Sequence, residues 1–340
     1  MTWMTYRQFR TQAWVALTAL AAIAITFAAT RPSLARMYSA SGIAACQAHS
    51  DCGRLAATFV SHVRADGAYP VLYAMGVIVM YLVPAIIGMF WGAPLLTREL
   101  EDGTYRLAWT QSITRTRWLA VKLGLLGVTA MVITGLFSLI INWWASPLDH
   151  AAGLGSPILA NRMMPVMFTA HGIVPIGYAA FAFALGVTAG ALIGRTVPAM
   201  AVTIVIFAAV QLIMPNLVRP HLIPPARTNV AVSTSYVNWV PDGNGLLITG
   251  KAALPGAWVL STAGHVYTGP AIKVLRTCYN GPTSTPACGS AFASLHAQLL
   301  VTYQPASRYW PLQLAETGFF LILALALAWY CFWRLNRRRS

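Results

Sequence analysis

Residues Val166–Met214 read VMFTAHGIVPIGYAAFAFALGVTAGALI, then Gly194-Arg195-Thr196, then VPAMAVTIVIFAAVQLIM. A helix that crosses a bilayer needs about 20 predominantly apolar residues. Val166–Ile193 and Val197–Met214 come close to that length or exceed it, and the short turn between them makes them an antiparallel helical hairpin. Working outward from this hairpin, four more blocks are comparable: Ala13–Thr30, Pro70–Leu96, Trp118–Ala145 and Trp310–Trp333. The chain has 340 residues, of which 57% are hydrophobic and 9% charged. Soluble domains carry about a quarter charged residues. The expected fold class is therefore an all-α polytopic membrane protein with six transmembrane helices.

The formal charge is +15. A basic balance can mark phosphate binding, but here the cations border apolar blocks, which points to topology and lipid headgroups and away from nucleic acid. With the N-terminus inside, Arg7 and Arg10, the stretch Arg98–Lys122, Arg195, and the tail Arg334, Arg337, Arg338 and Arg339 share the cytoplasmic side. The expectation is a multi-pass cell-membrane protein with both termini cytoplasmic. Residues 1–12 place Trp3, Tyr6 and Phe9 at helical spacing beside Arg7 and Arg10, which suits an interfacial helix leading into a retained first span.

The expected organisation is then an interfacial helix at 1–12 and spans one to five over 13–214. External loop 31–69 and cytoplasmic loop 97–117 lie within that stretch. An extracellular region at 215–309 and the sixth span with its basic tail at 310–340 follow. Pro241–Gly245, between Tyr236–Val240 and Leu246–Thr249, is a hairpin signal, and a short helix is expected near Ser290–Val301. Cys46 and Cys52 fall in the first external loop, Cys278 and Cys288 in the second, and Cys331 near the cytoplasmic end of the last span. Two close external pairs suit disulfides in an oxidising exterior. No His–Cys cluster repeats a zinc spacing, so no metal is expected.

The run Gly245–Ala252 has the outline G-x-x-x-x-G-K, but Ala252 stands where a phosphate loop needs Ser or Thr to hold magnesium. It is read as coincidence, and no cofactor is expected. Only eight acidic residues serve the chain. Glu316 is the acid expected inside a span, near its outer end, with Arg308 as a local partner. His171 is the His within an apolar block, and no catalytic motif accompanies it. An enzyme is not expected, and any ATP would be hydrolysed on a partner chain.

Three of the eight acids, Glu99, Glu101 and Asp102, gather in the otherwise basic stretch Thr97–Lys122. This stretch resembles the cytoplasmic loop of type-2 ABC exporter permeases. Glu101, Gly103, Thr104, Thr114, Arg115 and Lys122 follow that pattern in order, and Tyr303–Glu316 is similar to the stretch before the last span in actinobacterial members. The resemblance implies a permease subunit that pairs with a second copy or a paralogue above two ATP-binding subunits. The loop would couple to the ATPase, with Glu99, Glu101, Gly103, Thr104, Leu107, Trp109, Arg115 and Lys122 as its residues. Alternative functions are an ion-coupled secondary transporter, which would carry ionisable groups at mid-membrane, and a membrane-embedded enzyme.

Overall fold

The computed structural model describes residues 2–46, 52–101, 115–154, 161–231, 237–242, 245–250, 254–267, 271, 273, 275, 290, 294 and 298–337. The chain divides into two compact units, Met1–Leu222 with Trp310–Ser340, and Ile223–Tyr309.

The first unit is helical. Helix α1 spans Thr2–Ala40, α2 Cys52–Asp66, α3 Ala68–Ile87, α4 Pro94–Glu101 and α5 Arg115–Gly153. Helix α6 spans Pro165–Ala170, α7 Val174–Ile193, α8 Thr196–Ile213, α9 Arg219–Leu222 and α10 Tyr309–Arg337. Among the described residues, six helical segments are long and apolar enough to cross a membrane: Ala13–Ala40, Ala68–Arg98, Leu119–Gly153, Val174–Ile193, Thr196–Leu222 and Ala306–Arg334. They are spans one to six below, the fourth counted together with α6, which leads into it. The six-span, all-α reading of the membrane part therefore holds.

Several boundaries differ from expectation, each for a local reason. No Gly or Pro separates residues 2–12 from the first span, so the expected interfacial helix is continuous with it in α1. The 31–69 region is not an open loop, because α1 runs on to Ala40 and α2 follows. A bridge joins Cys46 to Cys52, at the start of α2, as expected. Cys278 and Cys288 lie outside the described residues.

Pro215 marks a helix end by sequence, since it has no N–H to continue the ladder. The structure widens instead into a π-turn at Met214–Val218, closed by the Arg219 N–H on Met214 O. Such a turn takes in an extra residue and lets the helix continue, so the fifth span reaches Leu222. The inserted unit starts at Ile223 and not at 215. A second π-turn, Gly88–Gly92, precedes Pro94 in the second span, with Ala93 N–H on Gly88 O at 3.0 Å.

The fourth span, expected as one helix from Val166, is interrupted at His171–Ile173 between α6 and α7. Gly172 has φ +70°, a conformation that glycine adopts without steric penalty, and Pro175 sits in the first turn of α7. Helix α7 is nearly all buried and is the centre of the bundle.

Small residues let span two approach α7 closely. A Cβ added to Gly190 would lie 2.6 Å from Ala93 O, and one added to Gly88 would lie 2.7 Å from Ala182 O. Gly92 and Gly186 meet backbone at similarly close range. Gly88 with Gly92, and Gly186 with Gly190, have the small-xxx-small spacing of tightly packed membrane helices. Span one docks on α5 through Phe27, stacked on Trp144 at 4.9 Å, and through Trp144 Nε1, which donates to Thr30 Oγ1 at 2.9 Å.

The second unit contains β-strands. Strand β1 is Ala226–Ala231, β2 Val237–Asp242, β3 Gly245–Gly250, β4 Trp258–Ala263, β5 His265–Tyr267 and β6 Gln298–Gln304. They form two antiparallel three-stranded sheets, ordered β1-β6-β4 and β2-β3-β5. The expected hairpin is present, with Asp242 opposite Gly245. The helix expected near Ser290–Val301 is overturned at its end, where Gln298–Val301 lie in β6 and pair with β1. Leu299 and Val301 alternate inward there, a period-two burial that a helix would not keep.

Candidate functional site

Two polar constellations stand out in the helical unit. The first lies where α4 meets the start of α8. The first N–H groups of a helix lack intrahelical acceptors, and here a carboxylate from another helix supplies one. Glu101 Oε1 accepts from Thr196 N–H at 2.9 Å and Oε2 accepts from Thr196 Oγ1 at 2.7 Å. Thr97, fully buried, brings its hydroxyl within 2.7 Å of the Thr196 hydroxyl. The two Thr196 hydrogen bonds, helped by Arg195, hold the Glu101 carboxyl below the usual carboxylate range. An anion at a helix N-terminus is also favoured by the helix dipole.

Of the residues expected in the coupling segment, Glu99 and Glu101 lie on α4, Arg115 opens α5, and Lys122 is buried on α5. Gly103, Thr104, Leu107 and Trp109 lie outside the described residues. The structure thus gives Glu101 a definite local partner, Thr196 on the 194–196 turn, which sequence spacing did not indicate because the two are far apart in the chain.

The second constellation is centred on Glu316, which is fully buried on α10. Its partner is Arg219 and not Arg308. Arg219 Nε donates to Glu316 Oε2 at 2.6 Å and Nη2 to Oε1 at 2.9 Å, a two-point pairing of guanidinium and carboxylate. Tyr178 of α7 donates its hydroxyl to Glu316 Oε1 at 3.2 Å. The remaining guanidinium donors reach Thr169 Oγ1 at 2.6 Å and Pro165 O at 2.9 Å, and the ring of Phe168 lies 4.4 Å below the guanidinium carbon. Arg308 belongs to the other unit, where it donates to Pro224 O and to Gln304 Oε1. A partner one or two turns away was the natural guess from sequence. The actual partner becomes available only because the π-turn carries the fifth helix past Pro215.

Gln313, one turn before Glu316, stitches the interruption in the fourth span. Its Oε1 accepts from Ile173 N–H at 2.9 Å and Val174 N–H at 3.0 Å, and its Nε2 donates to Phe168 O and His171 O at 3.1 Å each. All four of these backbone groups would otherwise be costly to bury. Asn142 and Ser138 of α5 take up Gly172 N–H and Gly172 O. Arg219, Gln313 and Asn142 went unread in the sequence. The available signal was polar residues at or just beyond the ends of apolar blocks.

The set Arg219, Glu316, Tyr178 and Thr169 binds helices α6, α7, α9 and α10 into one clamp with no net charge. Because Glu316 is paired at two points with Arg219 and also accepts from Tyr178, it is poorly suited to carrying a coupling ion. Among the described residues, no group of three or more His, Cys, Asp or Glu could hold a metal. The Gly245–Gly250 part of the phosphate-loop-like run is the paired strand β3, not a loop opening a helix; Lys251 and Ala252 lie outside the described residues.

These features define a polytopic helical membrane protein built around one buried central helix. The chain belongs to the ABC-2 membrane transporter related family, whose family model matches residues 17–219. The match runs from within span one to Arg219 in span five. It makes this protein the membrane permease component of an ABC transporter. Comparison with curated proteins and with solved structures gives no match.

Proposed function

We propose that this chain forms the substrate pathway of an exporter, paired with a second permease and driven by a separate ATP-binding subunit docked on residues 97–117. The family match over 17–219 supports an ABC partner. The observation that carries the coupling role is the anchoring of α4. The helix leading into 97–117 is tied through Thr97 and Glu101 to the start of α8, and it continues from the π-turn that packs on α7. A displacement applied to the loop would therefore reach the second, fourth and fifth spans together. Leu107 and Trp109 offer apolar and aromatic anchors of the kind that dominate interface energies, and Gly103 permits a turn after the acidic stretch.

In this reading both termini and 97–117 are cytoplasmic, and the 31–69 region and the inserted β unit face outward. The test is co-purification with the ATPase, together with substrate-stimulated hydrolysis in lipid. Gly103→Val and Trp109→Ala should leave the chain inserted and folded but weaken ATPase association or uncouple hydrolysis from transport. Wild-type association and transport in both variants would overturn the docking assignment.

A further inference from the structure

His171 sits at the end of α6, where the fourth span is interrupted, and its side chain is 1% exposed. Its Nδ1 lies 2.7 Å from Met167 O. A carbonyl only accepts, so Nδ1 carries a hydrogen. Nε2 is buried with no hydrogen-bond partner and faces Asp149 Oδ2 of α5 at 3.6 Å. With a neutral imidazole and an ionised carboxylate, the Nε2 lone pair would point at an anionic oxygen. One additional proton, on either atom, turns that opposition into attraction.

We propose that Asp149 and His171 together form a binding site for a single proton, and that its occupancy holds α6 against α5. The surroundings fit a site tuned for exchange with solvent. Asp149 is 16% exposed on its side chain, which leaves a route for the proton. The Tyr73 hydroxyl of α3 donates to Asp149 Oδ1 at 3.3 Å, and its ring lies 6.1 Å from the imidazole. Arg162, in the segment leading into α6, acts electrostatically on Asp149. From α10 the facing group is the uncharged Gln313, bonded to His171 O. On the same α5 turn, His150 is engaged with Tyr38 of α1 at 2.8 Å.

Helix α6 is thus held at two places. Arg219 grips Pro165 O and Thr169 Oγ1 through hydrogen bonds, whereas the Asp149–His171 contact depends on a proton. As pH rises and the proton leaves, only the second hold is lost.

Hydrogen–deuterium exchange of the full chain in lipid nanodiscs tests this at about pH 5.5 and about pH 8.5. After correction for intrinsic exchange, residues 161–173 should lose roughly tenfold protection at the higher pH. Residues 177–193 of α7 should not change. In Asp149→Asn the amide can donate to Nε2 without an added proton, so protection should stay high at both pH values. His171→Gln, which does not titrate, should likewise lose the pH response and serves if the first variant does not assemble. Protection of 161–173 that is independent of pH in the wild type, or an unchanged response in either variant, would overturn the proposal.

Discussion

Arg219 carries a full positive charge into a position with no exposure, and Glu316 does the same with a negative one. Desolvating two ions is expensive, and their attraction offsets that only with good geometry and every remaining donor engaged. The pairing is two-point, and hydrogen bonds to Thr169 and Pro165 and from Tyr178 add to it. Removing one partner strands the other. Arg219→Met or Glu316→Leu alone should therefore cost about 3–5 kcal/mol, while the double substitution should cost less than either single one. Thermal unfolding of the three variants in detergent checks this, and simply additive losses would contradict it. A gating role for Glu316 has its own readout: Glu316→Gln should retain transport if the pair is structural. Glu316 could be found in the sequence as the lone acid of the last span. Its partner, 97 residues away, could not, because ion pairing across helices leaves no local pattern.

At the scale of elements, the contact of the second span with α7 rests on the absence of side chains. A methyl group on Gly186 or Gly92 would meet backbone of the facing helix, which cannot rotate away as a side chain can. Overpacking of this kind typically costs about 1–3 kcal/mol. Gly186→Ala should accordingly lower the unfolding temperature and, by separating α7 from the Gly88–Gly92 turn, shift the α4 cap on Thr196. Gly124→Ala, which meets nothing within 4 Å, is the matched control. Equal stability of Gly186→Ala and the control would argue against the close approach. The repeated G-x-x-x-G spacing at 88–92 and 186–190 was visible in the sequence, but which two spans meet was not, since any pair of apolar helices can pack in lipid. The π-turns were invisible for a related reason. A proline announces a lost donor, and only the surrounding packing decides whether the helix ends or widens.

At the scale of the whole molecule, the expected topology puts the inserted β unit outside and the tail inside. Reporter fusions at Gly264 and Ser340 should give external and cytoplasmic signals respectively, and the reverse pattern would refute the charge-based orientation. The bridge of Cys46 to Cys52 belongs to the same expectation, since it needs an oxidising compartment. The number of spans and the membrane class follow from long apolar blocks alone. The bilayer forces any such block to satisfy its backbone within a helix.

What the sequence by itself determined was therefore what transfer of residues into lipid governs: the class, the six spans and the hairpin of spans four and five, with the close cysteine pair beside them. The tertiary structure alone decided which polar groups meet. The interruption at His171–Ile173, the stitching by Gln313, the Glu101 cap on α8 and the Arg219–Glu316 pair each join residues far apart in the chain. Hydrophobic partition depends on composition summed over a segment and can be read one block at a time. Buried polar pairing depends on angstrom-scale distances between blocks, and those exist only once the helices have packed.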